Sequence, residues 1–254
     1  MLFSNRTELI KNIYDKGKTY PHLRFNLIKL ITLAKNPGCI PPTDDERCMQ
    51  IAMTARQMSG CISRQVGAVV VNDDGYGVGI GWNDSPAGLP SCSLRTGKEL
   101  VDSLDQTIFS DFELNEKFVQ HIKNNYYVDK PFCFKRELPS VLNKPENQMA
   151  EFTRALHAEE NAIFQALRNT GNDLEGATLY TTDETCTLCG KKAFQLGVKR
   201  IVYIDEYPGV AISQTIMAGK RDIKVEKFEG VIGSAYFRLF TTLLPENELI
   251  QLYL

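Results

Sequence analysis

The sequence has no excess of basic residues and no long apolar run. Lys and Arg number 29 against 31 Asp and Glu, which gives a formal net charge of −2. A protein built to hold long nucleic acid is basic, so we expect no such partner, whereas a small charged ligand needs only a local patch. No apolar stretch approaches the ~18 residues of a membrane span. The first residues, MLFSNRTELIKN, lack the apolar core of a signal peptide, and we expect a soluble, cytoplasmic protein without a membrane partner.

The cysteines lack the even number and regular spacing of a disulfide framework, which favours a reducing compartment. There are seven: Cys39, Cys48, Cys61, Cys92, Cys133, Cys186 and Cys189. Internal repeats, low-complexity tracts and the phosphate-binding pattern G-x-x-x-x-G-K-[ST] are also missing. The 254 residues, 43% of them hydrophobic, suffice for one sizeable core or one domain with a long insertion.

Helical and strand patterns alternate along most of the chain. Apolar spacing predicts helices at 23–36, 43–60, 153–171, 186–197, 209–219 and 233–244, and strands at 65–72, 76–83, 176–182, 198–205 and 223–228. Residues 84 to about 150 are polar, contain several prolines and show only short helical patches. We therefore predict an N-terminal helical segment over 1–42 and a domain over 43–254 that carries an insertion at about 84–150.

This alternation predicts an α/β sheet, partly parallel and covered on both faces. Right-handed crossovers bring the helix starts near 157 and 186 to one rim of the sheet, at the carboxyl ends of strands.

The residues at those two helix starts can bind a metal. Cys186 and Cys189 are three residues apart and share a helix face, and a helix N-terminus favours thiolate over thiol. His157 is a third ligand type at the other helix start. Three protein ligands leave the fourth tetrahedral position of zinc for water, which is typical of a catalytic site.

Glu159 accompanies the ligands without being one. Residues two apart in a regular helix point about 200° apart, so His157 and Glu159 face one metal only if the helix begins close to His157. Glu159 would then act as a general base towards a water whose pKa the metal lowers, and would later return the proton. Glu160 is interpreted as a solvated residue or a brace for the histidine.

Other interpretations of these residues stay open. A lone Cys-x-x-Cys is also typical of a redox dithiol or of half a structural zinc site. His22 and His121 are distant in sequence and are interpreted as ordinary surface or core residues. Cys92, Cys133 and His121 fall in the insertion and leave room for a second zinc site, although no tight ligand spacing supports it.

Four segments together resemble the deoxycytidylate deaminases: RQVGAVVV…GIGWNDSPAG, LHAEENAIFQALRNTG…LEGATLYTT, CTLCGKKAFQLGVKRIVYID and YPGV. The pattern His-x-Glu…Cys-x-x-Cys is the signature of the zinc deaminases, in which Pro precedes the first Cys. Here that residue is Thr185, whose hydroxyl can cap a helix. The layout is most similar to the deoxycytidine-nucleotide deaminases of bacterial antiphage defence. Those proteins usually carry an N-terminal P-loop module, so the chain is either free-standing or separate from that module.

The resemblance implies a three-layer α/β/α fold with a mixed five-stranded sheet, zinc as cofactor and assembly into a homo-oligomer. It also implies that Asn83 bonds the deoxyribose and that the backbone N–H of Ala158 holds the cytosine carbonyl. Without it, Asn83 is a turn residue. Arg64 and Arg168 are candidates for the substrate phosphate, and a solvated arginine is the equal alternative.

We therefore expect zinc-dependent deamination of a free deoxycytidine nucleotide, dCTP or dCMP, with a slight lean to dCTP and to depletion of the dCTP pool during phage infection. The alternatives are an ordinary dCMP deaminase in thymidylate supply, a nucleic-acid editing deaminase, and a catalytically idle nucleotide sensor. The intact motif argues against the sensor.

Overall fold

The computed structural model describes residues 21–143, 152–171, 174–206 and 223–242, with side chains from residue 26 onward. The described strands are β1 (Gly67–Val71), β2 (Gly77–Trp82), β3 (Thr178–Asp183), β4 (Arg200–Asp205) and β5 (Lys224–Lys227). The helices are α1 (Pro21–Lys35), α2 (Asp44–Arg56), α3 (Gly97–Ser103), α4 (Glu116–Asn125), α5 (Phe134–Leu142), α6 (Ala158–Thr170), α7 (Thr187–Gln195) and α8 (Ser234–Phe240). The helix expected at 209–219 lies outside the described residues.

The five strands form one mixed sheet in the order β2-β1-β3-β4-β5. Strand β1 pairs antiparallel with β2 and with β3, so that Ala68 lies between Gly81 and Thr181. Strands β3, β4 and β5 run parallel. The carboxyl ends of β2 and β3 therefore lie at the same edge of the sheet, which confirms the predicted rim.

Helices cover both faces of this sheet, as the three-layer expectation requires. On one face, small and branched residues of β1, β3 and β4 pack with α6 and α7 in a core of Ala68, Val70, Ala158, Ala162, Ile163, Ala166, Leu174, Ala177, Leu179, Ala193, Val198, Ile201 and Ile223. Gly67 of β1 points to the other face, where a Cβ would lie 2.0 Å from the carbonyl oxygen of Ala52 in α2. The predicted fold is confirmed.

The chain divides into two compact units, residues 1–50 with 229–254 and residues 51–228. In the first unit, the buried carboxylate of Glu46 accepts hydrogen bonds from Lys29 Nζ at 2.6 Å and from the backbone N–H of Val231 at 3.0 Å. The second unit contains the whole sheet and the insertion. The sequence division at residue 42 stays a prediction.

The insertion leaves and returns at one place and has a hydrophobic core of its own. Its two ends meet where the N–H of Leu156 donates to the carbonyl oxygen of Asp84 at 2.8 Å. Between them, α3, α4 and α5 pack around Leu100, Phe109, Phe118, Ile122, Phe132, Phe134 and Leu138. The sequence suggested a polar covering with short helical patches, because these aromatic residues are too widely spaced to give a local period.

Candidate metal centre and active site

One histidine and two cysteines lie together at the starts of α6 and α7. His157 is the residue before α6 and Cys186 the residue before α7, while Cys189 lies in the first turn of α7. His157 Nδ1 is 3.3 Å from Cys186 Sγ and 3.4 Å from Cys189 Sγ. Their ligand atoms all lie within 4.8 Å of one another, a group that can hold a metal ion. One imidazole and two thiols, with a fourth direction open, fit zinc.

The low pKa of one of the two thiols favours the binding of a cation. The hydrogen bond with Cys189 lowers the pKa of the Cys186 thiol to about 4, and the same contact raises the pKa of the Cys189 thiol. Cys186 Sγ also accepts from the backbone N–H of Cys189 at 3.5 Å. One thiolate is therefore present at neutral pH, and a binding cation displaces the second proton.

Cys186, and not Thr185, is the N-cap of α7. Thr185 is 3% exposed, and its hydroxyl has no hydrogen-bond partner among the described residues. The capping suggested for this threonine is wrong, because the Cys186 sulfur already accepts from the first turn of the helix.

The carboxylate of Glu160 holds the backbone of His157 in place, which agrees with one of the two interpretations of this residue. Its Oε2 accepts from the backbone N–H of His157 at 2.9 Å, and its Oε1 pairs with Lys192 Nζ of α7. The carboxylate thus ties the start of α6 to the neighbouring helix. The expectation that α6 begins close to His157 is confirmed.

Glu159 lies beside the three ligand atoms and inside the protein. It is the second residue of α6 and is 4% exposed. Burial raises the pKa of its carboxyl to about 7. A carboxyl with a pKa near neutrality can both accept and return a proton.

A cavity of about 300 Å³ opens beside the cluster. One wall comes from the rim of the sheet and the starts of α6 and α7, including His157, Glu159 and Cys186. The insertion and the residues after it supply further lining residues: Cys92, Cys133, Phe134, Lys135, Arg136, Thr153, Arg154 and Ala155. The insertion is thus part of the site.

Asn83 lines this cavity, but its side chain also holds the segment before β1. Its Oδ1 accepts from the N–H of Val66 at 2.7 Å and from Ser59 Oγ at 2.8 Å, and its Nδ2 donates to the carbonyl oxygen of Arg64 at 2.7 Å. These bonds fit the turn-residue alternative, and one Nδ2 hydrogen is left to face the cavity. Ala158 lines the cavity too, and as the first residue of α6 it has no intrahelical partner for its N–H.

The two arginines expected near a phosphate differ in position. Arg64 lines the cavity, and its Nε pairs with Asp183 at the end of β3. Arg168 is exposed in the last turn of α6 and does not line the cavity. Ten residues separate it from Ala158, which is ~15 Å along the helix axis. Within the part of the chain that is described, Arg168 therefore does not reach the site.

Sequence reasoning missed the basic residues that the insertion and the residues after it contribute to the cavity lining. Lys135, Arg136 and Arg154 line the cavity, and Arg136 Nη2 lies 3.4 Å from Ser63 Oγ. The single signal in the sequence was that Arg154 stands three residues before His157.

Cys92, Cys133 and His121 do not form a metal-holding group among the described residues. Cys92 and Cys133 line the active-site cavity together with Cys61. His121 lies elsewhere, with its Nε2 3.1 Å from Glu137 Oε2.

Comparison with known proteins identifies the family. The family described as the cytidine and deoxycytidylate deaminase zinc-binding region matches residues 42–205. A deoxycytidylate deaminase of Enterobacteria phage T2 is 32% identical over 168 residues, which is 63% of this chain and 78% of the relative. One of Mycobacterium phage D29 is 31% identical over 167 residues, or 65% of this chain and 97% of the relative. The dCMP deaminase structure from the cyanophage S-TIM5 is 21% identical, has a TM-score of 0.45, and covers 74% of this chain and 100% of that one.

The chain therefore belongs to the cytidine and deoxycytidylate deaminase family, whose cofactor is zinc and whose reaction is hydrolytic deamination. Among the described residues, no helix combines the length and the apolar character needed to cross a membrane.

Proposed function

We propose that this protein hydrolytically deaminates a free deoxycytidine nucleotide to the deoxyuridine nucleotide. The observation that carries the proposal is the carboxyl of Glu159, which is 4% exposed and lines the cavity beside His157, Cys186 and Cys189. A buried carboxyl whose pKa lies near neutrality can pass a proton between a water molecule and a bound base.

The residues of the site divide the chemistry between them. His157, Cys186 and Cys189 would hold the zinc, which when bound would supply Lewis-acid chemistry for activating a water molecule. Glu159 takes a proton from the attacking water and delivers it to N3 of cytosine while oxygen adds to C4. Glu159 then carries the second proton to the amino group, the C4–N bond breaks, and ammonia leaves.

The neighbouring groups orient the substrate. The N–H of Ala158 points from the positive end of α6 and is suited to the O2 carbonyl of cytosine. The remaining Nδ2 hydrogen of Asn83 is suited to a deoxyribose hydroxyl. The cavity lining includes four basic side chains, those of Arg64, Lys135, Arg136 and Arg154, against three carboxyl groups, those of Glu159, Asp183 and Glu184. This excess of basic groups favours a substrate with a phosphate over the bare nucleoside.

The monophosphate is the first choice of substrate. The relatives with the names quoted above are deoxycytidylate deaminases, and ~300 Å³ is the lower end of the range for small-molecule pockets. This reverses the slight lean to dCTP, which rested partly on the YPGV segment at 207–210, outside the described residues. Turnover of dCTP and a role in antiphage defence stay predictions, as do assembly into a homo-oligomer and location in the cytoplasm.

A substrate panel tests the proposal. Purified protein is incubated with dCMP, dCTP, CMP, deoxycytidine and single-stranded DNA, and the products are separated by chromatography. We expect dCMP to react much faster than deoxycytidine, because a polar site left unpaired by the smaller analogue penalises it, and faster than CMP. Equal rates on dCMP and deoxycytidine would contradict the phosphate argument. Turnover of single-stranded DNA alone would favour nucleic-acid editing, and no turnover with full zinc would favour a sensor.

A further inference from the structure

Two arginines share one buried glutamate between the insertion and the cavity. The side chains of Arg95 and Glu113 are 0% exposed, and the side chain of Arg154 is 16% exposed. Glu113 Oε1 pairs with Arg95 Nη2, and Glu113 Oε2 accepts from Arg154 Nη1 at 3.2 Å. We call these three residues the buried triad.

Further hydrogen bonds within the insertion hold the carboxylate of Glu113 in place. Its Oε2 also accepts from the N–H of Ser110 at 2.9 Å and from Ser110 Oγ at 2.8 Å. The Arg95 guanidinium lies 4.9 Å from the ring centroid of Phe109 and 5.7 Å from that of Phe132, both in the insertion core. The packed core of the insertion thus holds the carboxylate that orients Arg154.

The triad carries one positive charge that its own members do not balance, since two guanidinium groups face one carboxylate. Arg154 lines the cavity, and its buried Nε has no hydrogen-bond partner among the described residues. The buried Nε and Nη1 of Arg95 also have none, but Arg95 is not among the residues that line the cavity. A buried charge and an unpaired donor are both costly, and an anion in the cavity would satisfy both. The planar fork of a guanidinium matches two phosphate oxygens.

The other cavity arginines are held differently. Arg64 pairs with Asp183, which balances its charge, and is 43% exposed along its side chain. Arg136 makes a 3.4 Å contact with Ser63 Oγ, a neutral group. Arg154 is the cavity arginine whose position is set by a fully buried carboxylate.

We propose that Arg154 binds the phosphate of the nucleotide and sets the preference for nucleotide over nucleoside, and that Glu113 and Arg95 are positioning residues for it. The proposal rests on the proposed function and adds to it the residue that reads the phosphate. Arg95 and Glu113 belong to the insertion, so the proposal also assigns the insertion a function, which is to position the phosphate-binding residue.

The test compares Arg154→Ala and Arg154→Lys with the wild-type protein, each with zinc bound. Because Arg154→Ala removes hydrogen bonds to a charged phosphate, it should lower kcat/KM for dCMP roughly 10- to 100-fold, mainly by raising KM. For deoxycytidine, which has no phosphate, kcat/KM should fall much less, so that the preference for dCMP over deoxycytidine falls roughly 10-fold or more. Arg154→Lys keeps the positive charge but lacks the planar guanidinium group, so its kcat/KM for dCMP should lie between those of Arg154→Ala and the wild-type protein. Arg47→Ala, at an exposed arginine outside the cavity lining, is the matched control.

Glu113→Gln tests the positioning role. Glu113→Gln should raise KM for dCMP and lower the preference for dCMP over deoxycytidine, and thermal unfolding checks that it folds. If it does not fold, the two Arg154 variants still decide the proposal. Binding of dUMP, measured by calorimetry without turnover, should weaken about 10-fold or more in Arg154→Ala.

Three results would overturn the proposal. They are an unchanged dCMP preference in Arg154→Ala, an equal loss on dCMP and deoxycytidine, and a wild-type protein that binds neither dUMP nor inorganic phosphate. Failure of the proposed function gives a different result. The wild-type protein would then lack deaminase activity, but it would still bind dUMP through Arg154, and the phosphate site would stand. A wild-type protein active on dCMP with an unaffected Arg154→Ala variant rejects this inference alone.

Discussion

Replacement of Glu159 by glutamine should nearly abolish turnover and leave the metal in place. The change keeps the shape of the side chain and removes its ability to take a proton. Loss of a proton-transfer group costs ~10²–10⁴-fold in rate, which is ~2.7–5.4 kcal/mol at 1.36 kcal/mol per decade. We expect the upper end, because Glu159 is 4% exposed and bulk water cannot replace it. The zinc should remain, because the metal-holding group of the described residues consists of His157, Cys186 and Cys189.

The assay pairs the conversion of dCMP to dUMP with zinc analysis of the same samples. Wild-type protein and Glu159→Gln should each contain about one equivalent of zinc, whereas Cys186→Ser should lose it. Glu116→Gln, at an exposed glutamate of α4, controls for the loss of one negative charge. Activity of Glu159→Gln within about 10-fold of wild type would refute the proton-transfer role, and loss of its zinc would show that Glu159 is a ligand.

Two further predictions concern stability. A Cβ at Gly81 would lie 2.2 Å from the carbonyl oxygen of Ala158, so Gly81→Ala should push α6 off β2, cost roughly 1–3 kcal/mol and lower activity. At Gly77 the nearest atom is 3.8 Å away, and Gly77→Ala should change the denaturant midpoint little; equal effects of the two would contradict the argument. Burial alone raises the pKa of Glu46, but bonds from Lys29 and two backbone N–H groups leave it below its usual value. That stabilisation is therefore present at neutral pH and lost as pH falls below ~4. Glu46→Gln should lose roughly 1.5–3 kcal/mol at pH 7, with the difference in Tm from wild type shrinking as pH falls below ~4, and a constant difference would count against it.

The sequence alone determined the elements that depend on near neighbours in the chain. Apolar periodicity and glycine stops predicted the described strands and the helices that flank them. The type and spacing of His157, Cys186 and Cys189 predicted the metal site, because three residues along a helix start set which side chains share a face. The two-residue spacing of His157 and Glu159 even predicted where α6 begins.

The tertiary structure decided which distant residues share the cavity. Arg154 and Arg168 lie on either side of the same motif in sequence, but a helix carries Arg168 ~15 Å away while Glu113 holds Arg154 in the wall. Asn83 could be assigned to the sugar from its motif, yet its bonds to Val66 and Arg64 needed the fold to be seen. Local spacing cannot encode such contacts, because they depend on how segments tens of residues apart pack together. For the same reason the sequence of the insertion indicated only a polar segment. The packing of its helices shows that it has a hydrophobic core, which lies next to residues that line the cavity.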